Sequence, residues 1–311
     1  MTGSLGRFCG SGKADVHPDD PALTRRSGLR PAVVAALVSL SLAGCSAEQL
    51  DTGYLPSERG TTSHTERIIN LWNGSWIAAL IVGVLTWGLI IWCMAAYRRR
   101  KGETGLPAQL RYHLPLEMMY TIIPLFMVMV LFYFTARDTG IVTEVDGEAD
   151  VRIQAVGKRW AWDFNYTDED VFETSVQVPI ANSPNGTDTR ETDLPTLYLP
   201  VGKDVELTLD SRDVIHSFWV PAFLYKEDMI PGRHNQYQFT PLIEGTYNGK
   251  CAELCGEFHS DMLFQVEVVS QEVFDEKMAE LRDKGQTGQL EVELGRVDNI
   301  EREEAESGGN G

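Results

Sequence analysis

Two stretches of the chain carry no alternation of polar and apolar positions. WIAALIVGVLTWGLIIWCMAAY, Trp76 to Tyr97, has no charged residue, and LPLEMMYTIIPLFMVMVLFYF, Leu114 to Phe134, has one, Glu117. A helix apolar on every side belongs in a core or a bilayer, and each run is long enough to cross a hydrocarbon layer of about 30 Å. Past Asp138 the pattern changes. ADVRIQAVGKRWAWDFNY, TLYLPVGKDVELTLDSRDVIHSFWV and NQYQFTPLIEGTYNGK are short runs rich in β-branched and aromatic residues, broken by Gly, Pro and Asp. They predict an antiparallel sandwich or small barrel. One amphipathic helix follows, VFDEKMAELRDK, Val273 to Lys284. The stretch from about 285 to 311 is acidic, closes on SGGNG and has little to bury, a composition that predicts disorder.

Charge sets the orientation. Arg98, Arg99, Arg100 and Lys101 follow the first apolar run, so the connecting loop is expected in the cytoplasm and both flanks outside. Arg25, Arg26 and Arg30 precede PAVVAALVSLSLAGC, which is too short to span and reads as a signal peptide. LAGC, Leu42 to Cys45, resembles a bacterial lipobox, which implies cleavage before Cys45 and lipidation of its thiol; the plainer reading is a membrane-buried cysteine. The expected organisation is a precursor segment at 1–44, an outer segment at 45–70, a two-helix hairpin at 71–137, a β domain at 138–270, and a short helix with an acidic tail at 271–311. The net charge is −18, most of it in the outer segments. That balance speaks against nucleic acid and favours a basic partner.

The chemistry concentrates in CAELCGEFHSDM, residues 251–262. Of five cysteines, Cys9 lies in the precursor segment, Cys45 is the lipid candidate and Cys93 sits in a span as a small hydrophobe. Cys251 and Cys255 remain in the outer domain, where a disulfide is the default. His259, Met262 and, from RDVIHSFWVP, His216 change the choice. Thiolate, imidazole and thioether together suit copper, and two bridging thiolates with one terminal histidine each would suit a pair of copper ions. Zinc on Cys251, Cys255, His216 and His259 is the rival, and it leaves Met262 without a task.

Two spans followed by a β domain bearing KRWAWDFNY, DVIHSFWVP, IPGRHNQ and CAELCGEFHSDM in that order resemble subunit II of the cytochrome c oxidases, over about residues 66–270. The resemblance implies a transmembrane α-helical hairpin followed by an all-β cupredoxin-like Greek-key barrel holding a dinuclear copper A centre. By position, Cys251 and Cys255 would bridge the ions, His216 and Met262 would serve one, and His259 and the Glu253 carbonyl the other. The Glu253 side chain would reach a magnesium ion at subunit I. The implied partners are subunit I with its haem and copper, other oxidase subunits, and cytochrome c or a cytochrome c domain of a bc complex. The implied place is the bacterial cell membrane, with the copper domain on the outer face.

Other residues take roles only through this resemblance. Trp160 and Trp162 alternate in KRWAWDFNY and are expected on one face of a strand; as a bare sequence they read as core, whereas in the family the first is the electron entry point. Asp168, Glu169, Asp170 and Asp213 are candidates for an acidic docking face, or are merely solvated. Glu117 in ExxxTxxP resembles a family glutamate that feeds a proton pathway, the plain alternative being a carboxylate that reaches the interface. No CxxCH is present, so no c-type haem is fused here, and the full ligand set argues against quinol as donor. His17, His64, His113 and His234 carry no motif and are expected at the surface. Two other classes stay in view: a membrane-anchored copper chaperone, which would bind one exposed copper ion, and a zinc-stabilised structural lipoprotein, which has no use for Met262 or Glu117. Nitrous oxide reductase carries a similar centre, but beside a propeller domain not found in this sequence.

Overall fold

The computed structural model describes residues 46–99, 102, 105–106, 109–175 and 194–292. Cys45, the expected signal segment and residues 293–311 lie outside the described residues. The chain divides into two compact units, Met1–Leu50 and Asp51–Gly311. Of the first, only the start of a short helix, α1 (Ala47–Asp51), is described. Everything below concerns the second.

α2 (Thr65–Ala96) and α3 (Leu114–Val142) are the two apolar helices. At 1.5 Å per residue their 32 and 29 residues reach about 48 and 44 Å, more than a hydrocarbon core. Their large side chains stay exposed nearly all round, as expected of helices whose surroundings are lipid or a partner. α3 starts sharply: Pro115 occupies the first turn, the Leu116 amide donates to His113 Nδ1 (3.3 Å), and Glu117 Oε1 accepts from the His113 amide (3.0 Å). This is the reciprocal arrangement of a capping box.

The β domain is two five-stranded sheets. The strands are β1 (Val151–Lys158), β2 (Ala161–Tyr166), β3 (Val171–Thr174), β4 (Thr196–Pro200), β5 (Val205–Ser211), β6 (His216–Val220), β7 (Tyr225–Met229), β8 (Asn235–Phe239), β9 (Gly245–Cys251) and β10 (Leu263–Val269). One sheet runs β3-β2-β1-β5-β8 and the other β4-β10-β9-β6-β7. β1 with β5 and β4 with β10 pair in parallel, and the remaining pairs are antiparallel. The chain crosses between sheets at β3–β4, β4–β5, β5–β6, β7–β8 and β8–β9, as the Greek-key expectation requires. β10 shows the underlying physics most simply, with Phe264, Val266 and Val268 buried and their neighbours half-exposed. The core between the sheets gathers Trp162, Phe164, Phe218 and Phe264, with Phe218 stacked on Phe264 at 4.9 Å.

β2 departs from alternation because both its faces are covered, and all six residues are buried. α4 (Gln271–Asp283) caps one end of the core through Phe274, Met278 and Leu281, its start fixed by Ser270 Oγ accepting from the Val273 amide. The chain beyond it then crosses the outer face of the first sheet. The Gln286 carbonyl accepts from the Phe172 amide, Leu290 and Asn165 exchange two hydrogen bonds, and Arg212 donates to the Glu291 carbonyl. Beneath it lies the buried Asp163 carboxylate, held by Lys158 (2.5 Å), Arg212 (3.2 Å) and Thr174 (2.6 Å).

The sandwich is stitched to the hairpin at β8. The Ser63 amide donates to Thr240 O (2.9 Å), His64 Nε2 meets Gln238 O (2.9 Å), and the Asp146 amide after α3 donates to Gln238 Oε1 (3.0 Å). His64 is therefore a tether, not the free surface residue the sequence suggested.

Candidate metal centre

The site forms where two neighbouring strands end. β6 begins with His216, β9 ends with Cys251, and the two strands pair through Phe218 and Cys251. The β9–β10 connection is the CAELCGEFHSDM segment itself, closed at its base by the Cys251 amide donating to Met262 O (3.0 Å) and anchored to β6 by the Ala252 amide donating to Ser217 O (3.1 Å). A short 3₁₀ turn, His259–Asp261, aims His259 back at the cysteines. A loop tied at both ends to sheet backbone places its side chains more reproducibly than a free one.

His216, Cys251 and Cys255 are buried, and their ligand atoms lie within 4.8 Å of one another. Cys251 Sγ is 3.9 Å from Cys255 Sγ and 3.8 Å from His216 Nδ1. Cys255 Sγ is 3.5 Å from His259 Nδ1 and 3.8 Å from the sulfur of Met262, whose side chain is fully buried. The Cys251 thiol donates to the Glu253 carbonyl at 3.2 Å, while the Glu253 side chain is exposed. Both cysteines are free thiols, so of the three readings of the pair, the disulfide is not the one this geometry adopts. The structure brings together all five side-chain donors and the Glu253 carbonyl.

The electrostatics fit a cation. Burial raises the Cys251 thiol, but hydrogen bonds from His216 and nearby backbone outweigh it and hold it below the ordinary thiol value. Burial and the neighbouring Cys251 push Cys255 up to about 12. Without positive charge between them the pair gives up one proton and resists losing the second. A metal removes that resistance, because a coordinated thiol is deprotonated outright.

Asp213 joins this site from below. Its Oδ1 lies 2.8 Å from His216 Nε2 and accepts from the Val214 amide, and its Oδ2 accepts from the Arg159 amide at 2.7 Å. Burial would raise its carboxyl, yet these bonds hold it down at about 2. Burial likewise works against the His216 imidazolium, but Asp213 and Cys251 raise the imidazole above its ordinary value. A carboxylate on the second imidazole nitrogen fixes ring orientation and leaves Nδ1 for a metal. The sequence placed Asp213 on a docking face; in the fold its carboxylate is turned inward on His216.

Trp160 is not on the strand expected for it. The β1–β2 ladder ends at Lys158 opposite Ala161, which leaves Arg159 and Trp160 as the two-residue loop of a hairpin. Trp162 alone faces the core, against Phe218 and Phe264. Trp160 instead lies over the cysteine loop, edge to face with Phe258 at 4.9 Å. It fits there because residue 256 is glycine: a Cβ at Gly256, whose φ is +132°, would stand 3.1 Å from the indole. Gly157 does the same for His216, since a Cβ there would stand 2.9 Å from the imidazole Cδ2. Neither glycine carries a motif signal beyond its neighbours.

The remaining acidic candidates sit elsewhere. Asp168, Glu169 and Asp170 form the β2–β3 turn at the opposite end of β2 from Trp160, separated by a six-residue strand of about 20 Å at 3.3 Å per residue. Asp168 accepts from the Arg152 amide at 2.9 Å and Glu169 is paired with Arg282. Glu117 is some distance along the chain from all of these, in the first turn of α3. His113 caps α3, and His234 Nδ1 is 2.5 Å from the buried Asp210.

The fold and site define a class: a β-sandwich following two long apolar helices, with a cluster of soft donors suited to a transition metal. Residues 151–269 match the family model described as cytochrome c oxidase subunit II, periplasmic domain. A probable cytochrome c oxidase subunit 2 of Streptomyces avermitilis is 41% identical over 301 residues, covering 86% of this chain and 91% of the relative. The cytochrome c oxidase subunit 2 of Mycobacterium tuberculosis H37Rv is 33% identical over 291 residues, covering 78% and 79%. The crystal structure of the periplasmic domain of subunit II of cytochrome oxidase from Bradyrhizobium japonicum matches with a TM-score of 0.40 at 30% identity, over 45% of this chain and 99% of that one. The chain belongs to the cytochrome c oxidase subunit II family. It is thus a subunit of an oxidoreductase, membrane-anchored with its β domain outward, in a family that binds copper A.

Proposed function

We propose that this chain is the electron-entry subunit of its oxidase, taking electrons from cytochrome c and passing them to haem in subunit I, where dioxygen is reduced with proton pumping. The observation that carries this reading is the cluster of His216, Cys251 and Cys255, with His259, Met262 and the Glu253 carbonyl each within 4 Å of one of the two thiols. Cys251 and Cys255 would bridge the copper ions, His216 and Met262 would complete one, and His259 with the Glu253 carbonyl the other. Copper A, when bound, supplies one-electron acceptance shared between two metals.

The chain's own residues do the rest. Asp213 orients His216 and accepts from the Arg159 amide, so the loop that carries Trp160 and a ligand histidine share one carboxylate. Trp160 and Phe258 pack over the cysteine loop. Donors locked by sheet backbone and packed rings move little when charge changes, which favours fast transfer. The exposed Glu253 carboxylate is free to reach a magnesium ion at subunit I. Glu117 would admit protons to subunit I from the cytoplasmic side, and pumping and turnover unchanged in Glu117→Gln would refute that role. Cys45 would be lipidated after removal of the precursor segment, anchoring the outer N-terminus.

The test is the electron-paramagnetic-resonance spectrum of the purified oxidase. One unpaired electron shared by two copper nuclei, lost in Cys251→Ser, is expected. A complex that holds zinc at this site, or no metal, would overturn the reading.

A further inference from the structure

The outer halves of α2 and α3 do not close on each other. Between them lies a cavity of about 510 Å³, lined by Leu71, Gly74 and Ala78 on α2 and by Phe126, Val130 and Phe134 on α3, with Arg137 and Asp138 at its outer end. Gly74, Ser75 and Ala78 are too short to fill the space opposite the large side chains of α3, and a Cβ at Gly74 would meet nothing within 4 Å. We propose that this groove binds one acyl chain of an outer-leaflet phospholipid, with the lipid phosphate held by Arg137 and Arg67.

Dimensions choose the occupant. From Phe126 to Asp138 the groove runs twelve helical rises, about 18 Å. That is close to one leaflet, about 15 Å of a 30 Å hydrocarbon core. A hydrocarbon thread, with carbon contacts at 3.5–4.0 Å, is about 4–5 Å wide and lies along such a groove for its whole length. The apolar lining and leaflet-matched length suit a chain of methylenes.

Charge chooses its head. Arg67 Nη1 and Arg137 Nε and Nη2 converge on the buried Asp138 Oδ1, at 3.2, 2.9 and 2.8 Å. Two guanidiniums on one carboxylate leave a net positive charge at the mouth. Each arginine presents five donors, of which Asp138 takes one from Arg67 and two from Arg137. Both side chains are more than a third exposed, and guanidinium donors match phosphate oxygens geometrically. Asp138 sets the spacing of the two arginines, and the phosphate would complete the cluster. The inference rests on α2 and α3 spanning the membrane, and it is independent of the metal site.

The test uses the purified intact oxidase, reconstituted into vesicles of phosphatidylglycerol containing a tracer of the same lipid with a photoactivatable diazirine in its acyl chain. After illumination, mass spectrometry should place label on the groove-facing positions of both helices. Gly74→Phe, which fills the groove, should cut that label at least about fivefold while leaving label near Leu85 and Trp87, on the membrane half beyond the groove, unchanged. Arg137→Gln should lower groove label without abolishing it. Groove label undiminished by Gly74→Phe, or label confined to other faces of the helices, overturns the groove and leaves the spanning reading intact. Label on neither helix overturns both.

Discussion

Gly157 offers the sharpest test of how the fold holds the site. It lies in β1, paired with Trp162 of β2 on one side and Ser211 of β5 on the other, and its carbonyl accepts from the Arg212 amide at 2.9 Å. The strand is thus pinned from three directions. A methyl at this position would stand 2.9, 3.0 and 3.2 Å from Cδ2, Cγ and Cβ of His216, where carbon atoms normally approach to 3.5–4.0 Å. The backbone cannot retreat, so the imidazole must move by about 0.5–1 Å. From a 2.8 Å start, that displacement stretches the His216–Asp213 contact beyond hydrogen-bonding range. Overpacking of this kind costs about 1–3 kcal/mol, and a buried imidazole left without its partner costs a similar amount.

Gly157→Ala should therefore lose about 2–4 kcal/mol, a fall in Tm of about 10 °C for a domain of this size. Thermal unfolding followed by near-ultraviolet circular dichroism measures the loss, and the copper spectrum of the loaded oxidase should change with it, because the ring that moves is a proposed ligand. Gly140→Ala, near the end of α3 where an added Cβ meets nothing within 4 Å, is the control and should be neutral or stabilising by up to about 1 kcal/mol. Wild-type stability and an unaltered spectrum in Gly157→Ala would refute the claim that close backbone approach positions His216.

Three further perturbations probe other links. Gly256→Ala forces an L side chain to φ +132° and to within 3.1 Å of Trp160; stopped-flow mixing with reduced cytochrome c should show slower electron entry while the copper spectrum persists. Asp163→Ala leaves Lys158 and Arg212 without their buried partner and should cost about 3 kcal/mol in urea unfolding. Burial raises the Glu173 carboxyl despite the opposing attraction of Lys284, so the native state favours its protonated form and loses stability as pH rises through the carboxylate range. Glu173→Gln should then unfold at a higher temperature than wild type at pH 7, with the difference vanishing near pH 3; equal melting at both values would contradict it.

Much of this was legible from residue types because the features are local. The two apolar runs need no partner to be read, and thiols, imidazole and thioether at short spacing restrict the metals they suit wherever the loop lies. What was not legible depends on pairing. KRWAW continues a period-two pattern through Trp160, and only the end of the ladder at Lys158 and Ala161 converts that residue from strand to loop. Asp213 three positions before His216 is an acidic loop residue in sequence; its inward turn is set by the Arg159 amide, 54 residues away. Asp168, Glu169 and Asp170 belong by composition to one acidic surface with Asp213, but a strand's length separates them. The double burial of β2 comes from residues 286–291 returning across the sheet, a contact with no local signature.

These non-local contacts share a consequence. Gly157 and Asp213 define the position of His216, the Met262 carbonyl and Ser217 carbonyl fix the cysteine loop, and Gly256 seats Trp160 upon it. Each constraint is a backbone contact, a packed ring or, between Asp213 and His216, a side-chain hydrogen bond. The framework is thus held by the protein's own contacts, and its charge suits a cation: one thiol is held low, its neighbour is pushed to about 12, and the imidazole is held by a carboxylate. The same rigidity limits how far the donors can move when the charge of that cation changes by one, which is the physical requirement for passing single electrons quickly.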